Sequence, residues 1–141
     1  MTHSHLKTIY YGVKYYGDGR NRVVTEGRLE KLEKLGFKTR FALRDLEGWG
    51  RVELGPADLM RKVLELIDQS DFVLLDLSEK GVGLGIEAGY AHARGKPVIT
   101  LIAEELEVST TLRGISRQIY SYSSEDDLGR FFSTLTEKGS A

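Results

Sequence analysis

The residue best suited to covalent chemistry is Glu87, inside GVGLGIEAGYAHARGKPV, residues 81 to 98. Most of its neighbours, including Ala88, Gly89 and Ala91, are small, which leaves open space for a ligand. A carboxylate with room beside it can act as a nucleophile toward an anomeric carbon, stabilising an oxocarbenium-like centre before bonding to it. The ordinary explanation competes. The pattern puts Glu87 in the first turn of a helix, where the dipole favours negative charge in any protein. Gly83 and Gly85, read with Gly81 as a glycine-rich turn before that helix, are candidate substrate-binding positions. Gly83, Gly85 and Ala88 also fit a dinucleotide fingerprint with Glu104 downstream, but six positions separate Leu77 from Gly83 and no second domain remains to use a hydride.

Further candidates lie in the loop KYYGDGRN, which follows a first strand and is entered at Gly12. Tyr16 can stack on a base, while Lys14, Arg20 and Arg113 are loop cations of the kind that hold phosphate. Asp76, the one charge in the apolar run from Phe72 to Leu77, is a further candidate substrate ligand. His3, His5 and His92 lack the spacing of a metal site, and neither metal nor cofactor is expected.

These residues need elements to position them. Lys7 to Val13 reads as the first strand, Asn21 to Leu35 as a helix packed through Val23, Val24, Leu29, Leu32 and Leu35, and Phe37 to Ala42 as the second strand. Residues 43 to 55 have no clean period and read as a long loop over the strand ends. A helix from Pro56 buries Leu59, Val63, Leu66 and Ile67. The doubly buried strand at Phe72 to Leu77, the glycine turn, a helix stopped at Gly95, and a strand from Pro97 to Ile102 then form a βαβ unit. A short strand at Gln118 to Tyr122 precedes a last helix, capped by Ser123 or Ser124, whose Leu128, Phe131, Phe132 and Leu135 point inward. Alternating strands and helices predict an α/β three-layer sandwich on a five-stranded parallel sheet of order 2-1-3-4-5, flavodoxin-like or Rossmann-like, with ligands outside the carboxyl ends of the strands.

Composition narrows the function classes. With 141 residues and 40% hydrophobic side chains, the expectation is one domain spanning 1–141, its first six residues disordered. Zero cysteines exclude a disulfide framework and a thiolate nucleophile, and fit a cytoplasmic setting. A net charge of −1 argues against polymeric nucleic acid as a partner. The opening MTHSHLKTIYYG has no apolar core of signal-peptide length, and no apolar run approaches a membrane span, so no membrane partner is expected.

Taken together, the chain resembles the nucleoside 2-deoxyribosyltransferase family with its related nucleoside 5'-monophosphate N-glycosidases. The resemblance rests on KTIYYG, the aromatic loop with DGRN, the strand SDFVLLDLS, and above all GVGLGIEAGYAHARGKPV. It implies that Glu87 attacks the sugar's anomeric carbon and that Tyr10, on the first strand, orients it. The substrate would be a small nucleoside or nucleotide, and the N-glycosidic bond would be cleaved through a glycosyl intermediate with transfer to another base or to water. STTLRG, residues 109 to 114, resembles the segment that the monophosphate hydrolases lend to a neighbouring subunit's phosphate site, which puts Ser109 there and implies a homodimer or higher homo-oligomer with shared active sites. The family has an aspartate where this chain has Val63, and its hydrolases have a serine-and-arginine phosphate loop where VKYY follows Gly12. The alternative is therefore a non-catalytic nucleotide-binding or sensor module.

Overall fold

A computed structural model describes residues 7–16 and 18–137. The first six residues, expected to be disordered, lie outside that range, as do His3 and His5 among them. Five strands, β1 (Thr8–Val13), β2 (Lys38–Arg40), β3 (Phe72–Leu77), β4 (Val98–Ala103) and β5 (Gln118–Tyr122), alternate with helices α1 (Arg22–Lys34), α2 (Ala42–Asp45), α3 (Pro56–Asp68), α4 (Val82–Ala93), α5 (Thr110–Ile115) and α6 (Glu125–Glu137). Every pairing is parallel, in the order β2-β1-β3-β4-β5, with Ile9 opposite Phe72 and Val73 opposite Val98.

Side chains of a strand alternate between faces, so β3 divides its apolar run between two cores. Phe72 and Leu74 join Ile9, Tyr11, Ile99 and the inward stripe of α6 on one face. Val73, Leu75 and Leu77 join Tyr10, Val98, Val63 of α3 and Ala88 of α4 on the other. This double burial is what the unbroken hydrophobic run signals. Ser124 caps α6 by accepting the Asp127 N–H at 3.1 Å, and Asp127 accepts the Ser123 N–H in return at 2.8 Å.

Three expectations need correction. Val23 and Val24 do not face the core. Val23 is 81% exposed, while Thr25, Arg28, Leu29 and Leu32 are buried, because α1 turns a guanidinium rather than a valine toward the sheet. Residues 43 to 55 are not one loop, since α2 begins at Ala42 and Gly48–Gly50 forms a 3-10 turn. The glycine turn is shorter than expected: Gly81 is the N-cap of α4, and Gly83 and Gly85 lie within the helix.

Arg28 takes its buried place because Asp76 requires it. Asp76 is 1% exposed at the end of β3 and accepts hydrogen bonds from Arg28 Nη1 at 2.7 Å, Ser78 Oγ at 2.6 Å, the Ser78 N–H at 3.0 Å and the Tyr11 hydroxyl. Glu125, at the start of α6, accepts from the same guanidinium. Burial works against the charge on Arg28, yet Glu125 and Asp76 together hold it protonated even above the usual arginine range. Removing one partner of such a pair strands the other charge in low dielectric, a loss of about 3–5 kcal/mol, whereas replacing both ions by apolar groups is often neutral. Arg28→Met is therefore expected to lower the unfolding free energy measured in urea by that amount, and Arg28→Met with Asp76→Leu to recover much of it; an unchanged free energy for the single variant would remove the pair from the fold's foundations.

Candidate active site

Glu87 is the sixth residue of α4, in its second turn rather than its first. The helix-dipole explanation weakens accordingly, since that effect falls off within the first turn. The side chain points instead at the carboxyl end of β1. Tyr10 and Gly12 are two residues apart on that strand and present to the same face. A β-carbon at Gly12 would stand 2.9 Å from Glu87 Oε1, closer than β-carbons come to other atoms without something shifting, and a tight 3.2 Å from Leu75 Cδ1. Glycine at this position makes room for the carboxylate.

The carboxylate is held without a cation. Oε1 is buried and has no hydrogen-bond partner among the described residues. Burial pushes the carboxyl up to about 7, and the Tyr10 hydroxyl, hydrogen-bonding to it, only partly opposes that rise. Burial also raises Tyr10 well above the ordinary tyrosine value, with the charge and hydrogen bond of Glu87 adding to the effect, so the phenol stays protonated as a donor.

Beside this pair opens a cavity of about 170 Å³, walled by Tyr15, Phe41, Leu59, Met60 and Val63, with Glu47 as its second carboxylate. The arrangement places a titratable, unpaired carboxylate, a phenol donor and an apolar slot in one recess over the strand ends, which suits attack on an electrophilic carbon of a ligand with a flat apolar part.

The other expected site residues are scattered. Asp76 shares a sheet face with Phe72 and Leu74, opposite Glu87, and its oxygens are engaged by Arg28, Tyr11 and Ser78. Lys14 lies against Gly81 with its Nζ 3.8 Å from Glu79, and two cations approach the Tyr16 ring, Arg20 at 4.2 Å and Lys14 at 5.5 Å from its centroid. A hydrogen bond to Glu79 raises the Tyr16 hydroxyl. Ser109 is the N-cap of α5, accepting the Leu112 N–H at 3.3 Å. With Lys80 and Gly85 it lines a separate cavity of about 150 Å³. Gly83 has open space around it, and Arg113 is exposed on α5 and is not part of the cavity beside Glu87. Sequence reasoning ranked Tyr15 below Tyr16 and missed Glu47 and Met60. Glu47 had only its place in the stretch 43 to 55 as a signal, and Met60 only its place beside the apolar stripe of α3.

Among the described residues no helix is long and apolar enough to cross a membrane, and no cluster of three or more His, Cys, Asp or Glu side chains could hold a metal ion.

A parallel sheet of this order, with helices on both faces and such a recess at its carboxyl edge, is an architecture that the nucleoside deoxyribosyltransferases share. Solved structures agree. A 2-deoxyribosyltransferase from Bacillus psychrosaccharolyticus superposes with a TM-score of 0.71 at 18% identity over 91% of this chain and 95% of that one. A CMP N-glycosidase from Clostridium botulinum gives 0.65 at 20% identity over 89% and 97%. In sequence, a Thermofilum pendens protein named "Putative 2'-deoxynucleoside 5'-phosphate N-hydrolase 1" is 30% identical over 128 residues, 84% of this chain and 87% of that protein. No protein-family model matches. The chain belongs to the family of nucleoside 2-deoxyribosyltransferases and related nucleoside 5'-monophosphate N-glycosidases.

The electrostatics of Glu87 make a stability prediction. Its folded carboxyl titrates near 7 against 4.5 for an ordinary glutamate. A raised acid contributes stability that is complete below 4.5 and lost as pH rises through 7. Glu87→Gln, which cannot ionise, should match the parent in thermal unfolding at pH 4 and exceed it at pH 8, by at most about 3 kcal/mol. A parent that is equally or more stable at pH 8 would show that Glu87 is not raised.

Proposed function

We propose that this protein cleaves the N-glycosidic bond of (deoxy)nucleosides or their 5'-monophosphates through a glycosyl intermediate on Glu87. The observation that carries the reading is the buried, cation-free Glu87 carboxylate, with an unpartnered oxygen beside an apolar recess. Ionised Glu87 attacks the anomeric carbon, the carbon–nitrogen bond breaks, and its electron pair leaves with the base nitrogen, which takes up a proton. Water then attacks the same carbon, releasing Glu87 as carboxylate with loss of a proton; a second base in place of water gives transfer. Tyr10 steadies the carboxylate. The names of the relatives, an N-hydrolase, an N-glycosidase and a deoxyribosyltransferase, support this class of reaction and leave both acceptors open.

A second reading, a nucleotide-binding module without turnover, is favoured by Val63, an apolar side chain 3% exposed in the cavity wall. Chromatography separates the possibilities. Incubation of nucleosides and nucleotides, with and without a second base, is expected to yield free base and sugar, or a new nucleoside; binding without any product would establish the module. For the enzyme, kcat/KM should rise with pH through about 7 as Glu87 ionises, and Glu87→Gln should abolish it.

The reading extends to a homodimer with shared sites. It draws support from two apolar side chains one turn apart on α4, Val82 at 83% and Ile86 at 51% exposure, and from Ser109 lining a different cavity from the one beside Glu87. Mixing inactive Glu87→Gln with a weakened Ser109→Ala should restore turnover above either alone, through hybrid dimers carrying one intact site; no gain on mixing would leave Ser109 outside any shared site.

A further inference from the structure

The cavity beside Glu87 has a second carboxylate, and its placement is enforced by an unusual turn. Glu47 immediately precedes Gly48, Trp49 and Gly50, whose φ values are +54°, +60° and +94°. Left-handed backbone is ordinary for the glycines and rare for a tryptophan, where it persists only if the surroundings over-determine it. They do so here. The Trp49 ring packs on Phe41 at 5.5 Å and Tyr15 at 6.1 Å between centroids, and the Arg22 guanidinium covers it at 4.0 Å. The Glu47 carbonyl accepts both the Gly50 N–H at 2.9 Å and the Val52 N–H at 3.0 Å, while its own N–H donates to Ala42 at 3.3 Å. The backbone of Glu47 is thus pinned on both sides, yet no ion pair or hydrogen bond occupies its carboxylate among the described residues. Tyr15 and Phe41, which anchor the turn, also wall the cavity.

The lining of this recess is chemically divided. Glu87 and Tyr10 are the groups beside which an anomeric carbon would react. Phe41, Leu59, Met60 and Val63 are apolar surface for a flat heterocycle. Glu47, in the same lining, is a free carboxylate that accepts hydrogen bonds and cannot donate them. We propose that Glu47 is the specificity-determining residue for the base, accepting a hydrogen bond from an exocyclic amino group, so that the site prefers amino-bearing bases such as adenine and cytosine to oxo bases such as hypoxanthine and uracil. The assignment rests on the proposed nucleotide chemistry of Glu87. Where an amino base offers N–H, an oxo base offers a second acceptor, and two acceptors facing one another in a recess repel.

The test measures binding, so it does not depend on turnover. In full-length protein carrying Glu87→Gln, calorimetric affinities are compared for AMP against IMP and for CMP against UMP, with and without Glu47→Gln. The expected result is a preference of roughly 10- to 100-fold for the amino member of each pair, the range of a hydrogen bond to a charged group. Glu47→Gln, whose amide can donate to a carbonyl, should erase or invert it. A ratio unchanged by Glu47→Gln overturns the proposal, as does equal weakening of all four nucleotides, which would make Glu47 a support for the turn. Glu47→Ala should abolish the preference without inverting it. If no nucleotide binds, the proposal falls together with the nucleotide reading. If the ratio shifts but the wild-type chain releases no base, only the catalytic reading fails.

Discussion

A charge at the end of the central strand has to be neutralised where water cannot reach it, and much of the carboxyl edge of the sheet follows from that need. Asp76 is answered by Arg28, and through Arg28 by Glu125, so one guanidinium ties α1 to β3 and to the start of α6. Tyr122 lends its ring to the same cation at 5.1 Å. This face of the sheet is closed by polar bonds as firmly as by packing. The recess beside Glu87 opens at the strand ends between the two cores: α3 and α4 leave Glu87 over Gly12, and Tyr11, Tyr15 and Phe41 of the Asp76 face complete the wall.

The two acids beside the strand ends thus receive opposite treatment. Asp76 has a cation and a full set of donors. Glu87 has one phenol donor, an unpartnered oxygen and apolar neighbours, and burial alone moves its titration toward neutrality. Environments that differ in this way set two carboxyls of one protein to different titrations, and the nucleophilic role proposed for Glu87 draws on that difference. Desolvation makes the Glu87 carboxylate costly to ionise and, once ionised, poorly stabilised, a condition that favours bond formation with an electron-poor carbon.

Much of this was legible in the sequence. The strand at Phe72–Leu77, the βαβ unit around Glu87 and the strand order followed from hydrophobic period and chain direction, because both faces of a parallel sheet must be buried. The errors arose where a distant partner reverses a local preference. Val23 looks like core until one knows that Asp76, far along the chain, draws Arg28 inward and rotates α1 with it. Gly83 and Gly85 look like a turn, yet α4 tolerates them because Ala88 and Ala91 dock its other face against the sheet. Glu47 carries no periodic signal at all. Its orientation depends on a left-handed turn held by aromatic contacts that no pattern of residues 43 to 55 reveals.

Trp49 has one further consequence. It is the chain's single tryptophan, and its indole lies against Tyr15 and Phe41, two side chains that form the wall of the Glu87 recess. A ligand that shifts either ring, or that draws Arg22 away from the indole face, changes the polarity and quenching around one chromophore. The protein therefore carries a built-in optical reporter at the edge of its own cavity, and occupancy can be followed as a change in intrinsic emission without attaching a label.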